Sequence, residues 1–388
     1  MDNQKIDIQN LYRVPWSKND NPNAWIEITT SCNLKCPGCY RGCHLSTNKS
    51  EHKPLEEIKN EVLLLKKIRN CHSLIISGGE PLTHPEILKI VEFVKQQQLN
   101  PVIITNGTLI NKEILKNLKT SGLIGLIIRI DSLRDSNSES FSKDEIELNQ
   151  LRQKYADLVY SIGGLSLGFT CVISKKNLPQ IPDIIKWVQE NNKKVDILIL
   201  IAKRDVMFSK NQKINKKDWV YLPEICEEIS KKIPELSYSA YLGSEKEDET
   251  IRWLFSFWLS LDKKILGYLD KRVPEICYMF YHLKNGRYYY ILEKRKGLIH
   301  LFKIIPLAII NKSLRAISKS YLMETLKNPL KIFKKSHLQI ICIIQPPSST
   351  EGERDICDSC PDATLYNGKL YASCILEEIK NELDTKIH

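Results

Sequence analysis

The sequence predicts an α/β chain: a partial (βα)6 barrel of the TIM type, followed by a mainly helical region and a small cysteine-rich C-terminal unit. Three observations predict it. Between about Ala24 and Met207, short β-rich runs alternate with longer amphipathic ones. After about Phe208 that alternation stops and aromatic and basic residues accumulate. The twelve cysteines gather at two places, near residue 36 and in the last fifty or so residues, with four others scattered singly.

The first strand is "AWIEITT", followed by a helix over Leu55–Arg69 with Leu and Ile at helical spacing. "SLIIS" precedes a helix around Pro85–Gln98, and "PVIIT" precedes one near Lys112–Thr120. "IGLIIRI" leads to Asp144–Leu158, "LSLGFTCVI" leads to Ile181–Glu190, and "VDILILIA" closes the series. Strict alternation of strand and helix argues a parallel sheet with crossover helices. "SLIIS" and "VDILILIA" are apolar almost throughout, as strands buried on both faces are. A flat, doubly wound sheet is the alternative arrangement.

Beyond the barrel, Lys216–Lys296 reads as mostly helical, including "IRWLFSFWLSL". Residues 297–340 are apolar and basic together, with Lys303, Lys312, Arg315, Lys319, Lys327, Lys331, Lys334 and Lys335 against the single acid Glu324. Such a segment fits either an anionic membrane surface or a helical cap with a solvated lysine face. The expected divisions are an N-terminal extension over 1–23, the barrel over 24–208, the helical, aromatic and basic region over 209–340, and the cysteine-rich unit over 341–388.

Composition limits the function classes. Hydrophobic residues make up 42% of the 388, which excludes global disorder. Basic side chains number 57 against 46 acidic, favouring an anionic partner or surface without naming one. No RNA-binding module is recognisable. The opening "MDNQKIDIQNLYRVPW" lacks a basic-then-apolar design, so no secretory signal is expected, and "LIHLFKIIPLAII" is too short to span a bilayer. A cytoplasmic protein, with or without membrane association, follows. There, grouped cysteines point to metal or cluster ligation rather than disulfides.

Cys32, Cys36 and Cys39 are spaced Cys-x3-Cys-x2-Cys directly after the first strand, where barrel strands carry their active-site loops. A structural zinc site usually takes two separated pairs, whereas three thiolates in one tight loop suit a [4Fe–4S] cubane with one iron left open. Cys43 is the fourth thiol of the stretch; as a ligand it would close the cluster, and it is read as a free thiol beside the site. In the tail, Cys357-x2-Cys360-x13-Cys374, with Cys342 upstream, could hold a closed cluster or a tetrahedral zinc. "LYNGKLYASC" reads as a hairpin turning on Asn367-Gly368, which returns Cys374 toward the Cys-x2-Cys pair. Cys71, Cys171, Cys226 and Cys277 have no partner pattern.

"CNLKCPGCY" and "SGGEP", Ser77–Pro81 after the second strand, together resemble the radical S-adenosylmethionine (SAM) enzyme superfamily over roughly residues 24–207. Members often have an aromatic or bulky apolar residue before the third cysteine, where this chain has Gly38; Tyr40 follows the cysteine instead. The resemblance implies a [4Fe–4S] cluster on Cys32, Cys36 and Cys39 whose open iron takes S-adenosylmethionine. It implies reductive cleavage to a 5′-deoxyadenosyl radical that abstracts hydrogen from a substrate. It also implies cofactor contacts from Gly78, Gly79, Glu80 and Pro81, from Thr105 and Asn106, and from Asp131 and Ser132. Arg129 and Arg204 are further candidates for a carboxylate. A reductant such as a flavodoxin or ferredoxin would supply the electron. The tail is SPASM-like, with fewer cysteines than the full pattern. The substrate expected is small or lipid-like; alternatives are a peptide-modifying maturase and a non-catalytic iron–sulfur or zinc protein.

Overall fold

In the computed structural model Asn23–Glu27 (β2) and Ser73–Ser77 (β3) are buried at every position, as expected of strands covered on both faces. The structure describes residues 6–45, 49–135, 138–140, 143–204, 216–246, 250–289, 298–299, 311–347 and 355–387. A short strand, Tyr12–Arg13 (β1), comes first. After β2 the chain runs through Leu55–Ile68 (α1), β3, Ile87–Gln96 (α2), Asn100–Thr105 (β4), Lys112–Thr120 (α3) and Gly125–Arg129 (β5). It continues through Leu148–Ile162 (α4), Ser166–Ile173 (β6), Ile181–Glu190 (α5) and Ile197–Ala202 (β7).

Strands β2 to β7 pair in parallel, each with its successor in the chain. The order never reverses, so there is no switch point of the kind a doubly wound sheet requires. The chain therefore winds one way as a partial barrel. One core lies between sheet and helices, where Ile26, Leu74, Ile103 and Leu126 meet Val62, Ile90, Leu115 and Val159. The alternate residues Trp25, Ile75, Val102, Ile127 and Ile199 build a second core on the other face.

The region expected to be mainly helical is mixed. It contains Leu222–Lys232 (α6), Ala240–Gly243 (β8), Ile251–Leu261 (β9), Lys264–Tyr268 (β10), Arg272–Asn285 (α7), Leu298–Ile299 (β11) and Lys312–Lys327 (α8). "IRWLFSFWLSL" is β9, a strand rather than a helix. Its Trp253, Phe255, Phe257 and Leu259 enter the second core while Leu254 and Trp258 enter the first. Leu254 and Trp258 stand among Arg252, Ser256 and Ser260 on the second face, which blurs the two-residue period and makes the run read like helix. Part of the expected basic segment, residues 300–310 with Lys303, lies outside the described residues, as do 205–215 and 290–297.

Ser336–Ile344 (β12) crosses the expected boundary at 340/341. It adds a seventh parallel strand beside β7 and pairs antiparallel with β9 on its other side. The C-terminal unit then holds Ala363–Tyr366 (β13), Lys369–Ala372 (β14) and Leu376–Ile387 (α9). β13 and β14 form the expected hairpin, with Asn367 at φ 48° and Gly368 at φ 72°, the left-handed pair of a tight two-residue turn.

That unit bridges the two ends of the open sheet. On the β8 side, Cys357 bridges Ser244, the Asp358 N–H donates to the Gly243 carbonyl at 3.0 Å, and Arg13 pairs with Asp358 at 3.1 Å. On the β2 side, the Asn21 amide donates to the Ser359 carbonyl at 2.8 Å, and Arg69 donates to the Cys360 carbonyl at 2.6 Å. β13 lies against β2. An edge strand that would otherwise be open is thereby covered.

Candidate cluster and cofactor site

The loops that follow β2 and β3 are fastened to each other. The Ile28 N–H donates to Ser77 O at 3.0 Å, Gly79 N–H to Thr29 O at 2.8 Å, and Glu80 N–H to Ser31 O at 2.8 Å. The backbones approach so closely that a Cβ on Gly78 would collide with the Thr29 carbonyl oxygen, and one on Gly79 with that of Ser31. Gly78 also sits at φ 137°. The Gly-Gly pair therefore sets the start of the cysteine loop as well as its own turn.

Cys32, Cys36 and Cys39 lie in this loop, and each sulfur is served by N–H donors. Leu34 N–H reaches Cys32 Sγ at 3.5 Å and the Asn106 amide reaches it at 3.9 Å. The Asp135 N–H points at Cys36, and those of Arg41 and Cys43 at Cys39. Cys43 stands between Cys32 and Cys39, hydrogen-bonded to both. That contact lowers the Cys32 thiol and brings Cys39 down to about 5, while raising Cys43 itself. Burial raises Cys36, against the pull of Arg129 and Arg134. Gly38 adopts φ 70° with open space where a Cβ would go, so the departure from an aromatic at this position is a turn requirement. Tyr40 turns inward, its hydroxyl 3.4 Å from Ser77 Oγ.

Glu80 is fully buried. Its Oε1 accepts from Leu82 N–H at 3.0 Å and from the Thr105 hydroxyl at 2.8 Å, and its Oε2 accepts from Asn106 N–H at 2.6 Å. Pro81 opens the short 3-10 turn that Glu80 caps. The carboxylate thus ties the third-strand segment to the GGEP loop, with burial raising its pKa. Asn106 is half-buried and its side chain donates to Asn33 Oδ1 at 2.8 Å.

After β5, Asp131 is also fully buried. It takes Arg129 Nε at 2.8 Å, Leu133 N–H at 3.0 Å and Val172 N–H at 3.3 Å. Burial works to raise its pKa, but Arg129, with Arg134 and the Val172 N–H, holds it below the ordinary value. Ser132 is half-buried, and its N–H donates to Glu145 at 2.8 Å. Arg134, which sequence reasoning missed, donates to the Asn106 carbonyl at 2.7 Å. Arg41, Asp135 and Asn33 were missed likewise, because single polar residues in loops carry no periodic signal.

In the C-terminal unit the thiols of Cys357 and Cys360 are hydrogen-bonded to each other, and Cys374 is near enough to Cys360 to feel its charge. Cys342 sits in mid-strand on β12, fully buried between Ile199 and Phe255. Arg204 belongs to this unit, pairing with Glu378 at 2.8 Å and donating to the Cys374 carbonyl at 3.1 Å. Arg41, two residues past Cys39, pairs with Glu27 at 2.9 Å and with Glu377 of α9, so the unit touches the cluster loop directly.

Among the described residues no three His, Cys, Asp or Glu side chains converge as ligands of a single metal ion. Thiolates around a cubane stand further apart, one to each iron. The donor chemistry of the first loop fits such a group: three thiols in one loop, each with an N–H directed at it and two arginines beside Cys36, can stabilise an anionic centre.

Residues 26–159 match the family model described as the radical SAM superfamily. The AdoMet-dependent heme synthase of Methanosarcina barkeri is 30% identical over 174 residues, 43% of this chain and 46% of that protein. The antilisterial bacteriocin subtilosin biosynthesis protein AlbA of Bacillus subtilis is 29% identical over 171 residues, 43% and 37% of the two chains. The solved structure of Streptococcus suis SuiB bound to S-adenosylmethionine has a TM-score of 0.43 at 21% identity, covering 55% of this chain and 48% of that one. The chain spans about half the length of the curated relatives that head the comparison.

Proposed function

We propose that this chain, a member of the radical SAM superfamily through residues 26–159, cleaves S-adenosylmethionine reductively at the Cys32–Cys36–Cys39 loop in order to abstract hydrogen from an organic substrate. The observation that carries the reading is the fastening of that loop to Gly78, Gly79 and Glu80, with N–H donors on all three sulfurs. When bound, a [4Fe–4S] cluster and S-adenosylmethionine supply one-electron cleavage of the sulfonium C5′–S bond.

The residues divide the remaining work. Cys32, Cys36 and Cys39 hold the cluster, while the amides of Leu34, Arg41, Cys43 and Asp135 offset its negative charge. Glu80 and Asp131 are consumed by internal hydrogen bonds, so they act as positioning residues. Contact with the cofactor falls to groups that retain accessible surface: the Gly79 backbone, the Asn106 side chain and Ser132. The buried aromatic core beneath, with Trp25 and Phe255, excludes water.

Anaerobically reconstituted protein with dithionite should convert S-adenosylmethionine to 5′-deoxyadenosine, and Cys36→Ala should not. Absence of cleavage in the wild type would favour a non-catalytic metal-binding protein. The substrate reading we carry first is a small or lipid-like molecule. A second reading, a peptide substrate, is supported by the likeness to a bacteriocin biosynthesis protein and by the cysteine-bearing unit that touches the cluster loop through Arg41 and Glu377. Iron counting on the triple Cys32/Cys36/Cys39→Ala variant tests that unit: about four residual irons mean a second cluster on Cys357, Cys360 and Cys374, and one zinc without iron means a structural site. Product analysis with lipid extract against a precursor-like peptide separates the substrate classes.

A further inference from the structure

The C-terminal end of α8 carries apolar residues that face away from the core. Leu314, Ile317 and Tyr321 pack inward, Ile317 against Gly267 of β10. From there on, the outward face is apolar: Leu322 and Leu326, one turn apart, with Met323 between them. The helix ends at Lys327, and Asn328 caps a 3-10 turn over Pro329–Phe333 that continues the same surface. Leu330 and Phe333, three apart in that turn, share a side. Leu326, Leu330 and Phe333 are 82%, 71% and 79% exposed. No described residue covers them, and an apolar cluster of this size left in water marks a binding surface.

The charges around it are mainly of one sign. Residues 312–335 carry Lys312, Arg315, Lys319, Lys327, Lys331, Lys334 and Lys335 against Glu324 alone. Glu324 is buried and turned inward, taking Lys264 at 2.8 Å and Lys331 at 2.6 Å. What faces outward is an apolar tip beside which lysines outnumber acids: Lys327 and Lys331 share Glu324, Lys334 pairs with Asp262 at 3.0 Å, and Lys335 adds a further cation. An apolar partner groove would need no such rim, whereas an anionic bilayer answers both parts: acyl chains for the tip, headgroups for the lysines. No helix among the described residues is long and apolar enough to cross a membrane, so the contact would lie in the interface.

We propose that the C-terminal end of α8 and the turn after it dock the protein on an anionic phospholipid surface. The test is flotation of the full-length protein with phosphatidylcholine vesicles and with vesicles containing phosphatidylglycerol. The wild type should partition at least about tenfold more strongly to the anionic vesicles, and less so as salt is raised. A Leu326→Glu/Phe333→Glu variant should stay unbound while keeping the wild-type circular dichroism and melting temperature. Equal binding to neutral vesicles, unaltered binding by the variant, or no binding at all would overturn the proposal. So would a wild-type oligomer that the same variant makes monomeric without any vesicle binding, which would assign the tip to a second copy of the chain.

Discussion

The Glu80 carboxylate accepts the backbone N–H of Asn106 at 2.6 Å, across twenty-six residues of chain. Its other oxygen holds Thr105 and Leu82, so one buried side chain fixes two loops that both face the cysteines. All three partners are donors. An amide in place of the carboxylate would set an NH2 group against one of them.

Glu80→Gln should therefore cost about 1–3 kcal/mol of stability, as expected when a buried hydrogen bond is replaced by two opposed donors. Denaturant midpoints measure this. Iron content after reconstitution should stay at the wild-type level, because no cysteine is altered. Unchanged stability would show that the three hydrogen bonds do not hold the loops.

Cys43 touches Cys32 and Cys39 yet lies outside the three-cysteine spacing. Cys43→Ala should keep the iron content of the first site and the cleavage of S-adenosylmethionine. Loss of both would make Cys43 a ligand and close the cluster. Its contact with two of the three thiols proposed as ligands gives it a place that spacing alone could not.

What was legible in the sequence is what repeats. Six strands alternating with helices were readable because every βα unit puts the same two periods on the chain, and the cysteine loop and GGEP motif fall at the ends of two of them. β9 was not readable as a strand because Leu254 and Trp258 fall among Arg252, Ser256 and Ser260 on one face, and so mask its alternation with the apolar face of Trp253 and Phe255. Nor was the seventh parallel strand. β12 pairs with β7 more than a hundred residues earlier, and nothing local in "SHLQIICII" names that partner. The same holds for Arg41 with Glu377 and Arg69 with Cys360, which join the C-terminal unit to the barrel.

Arg41 is the clearest test of that joint. Its side chain is buried beside the equally buried Glu27, 2.9 Å away. Arg41→Met should destabilise the protein by about 3–5 kcal/mol, since it strands a buried carboxylate. The double variant Arg41→Met/Glu27→Gln should recover much of the loss. Proteolysis should cut the C-terminal unit faster in the single variant, because its tie to α9 through Glu377 is gone as well. Equal stability of the single and double variants would refute the pairing.

The acid limb of stability tests how α8 is held. Hydrogen bonds from Lys264 and then Lys331 bring the Glu324 carboxyl down to about 2. An unfolded glutamate titrates near 4.3, so the folded state binds the proton less tightly than the unfolded one. The stabilisation is therefore present above about pH 4.3 and is lost as pH falls from there through about 2. Glu324→Gln removes the titrating group and should flatten the dependence of the denaturation midpoint on pH in that window, whatever it does to the midpoint at neutral pH. Lys264→Met should flatten it in part, leaving the contact with Lys331. A slope identical to wild type in both variants would mean that the lysines do not hold Glu324, and that α8 is held by the packing of Leu314, Ile317 and Tyr321 and by the Asp270 bonds at its start.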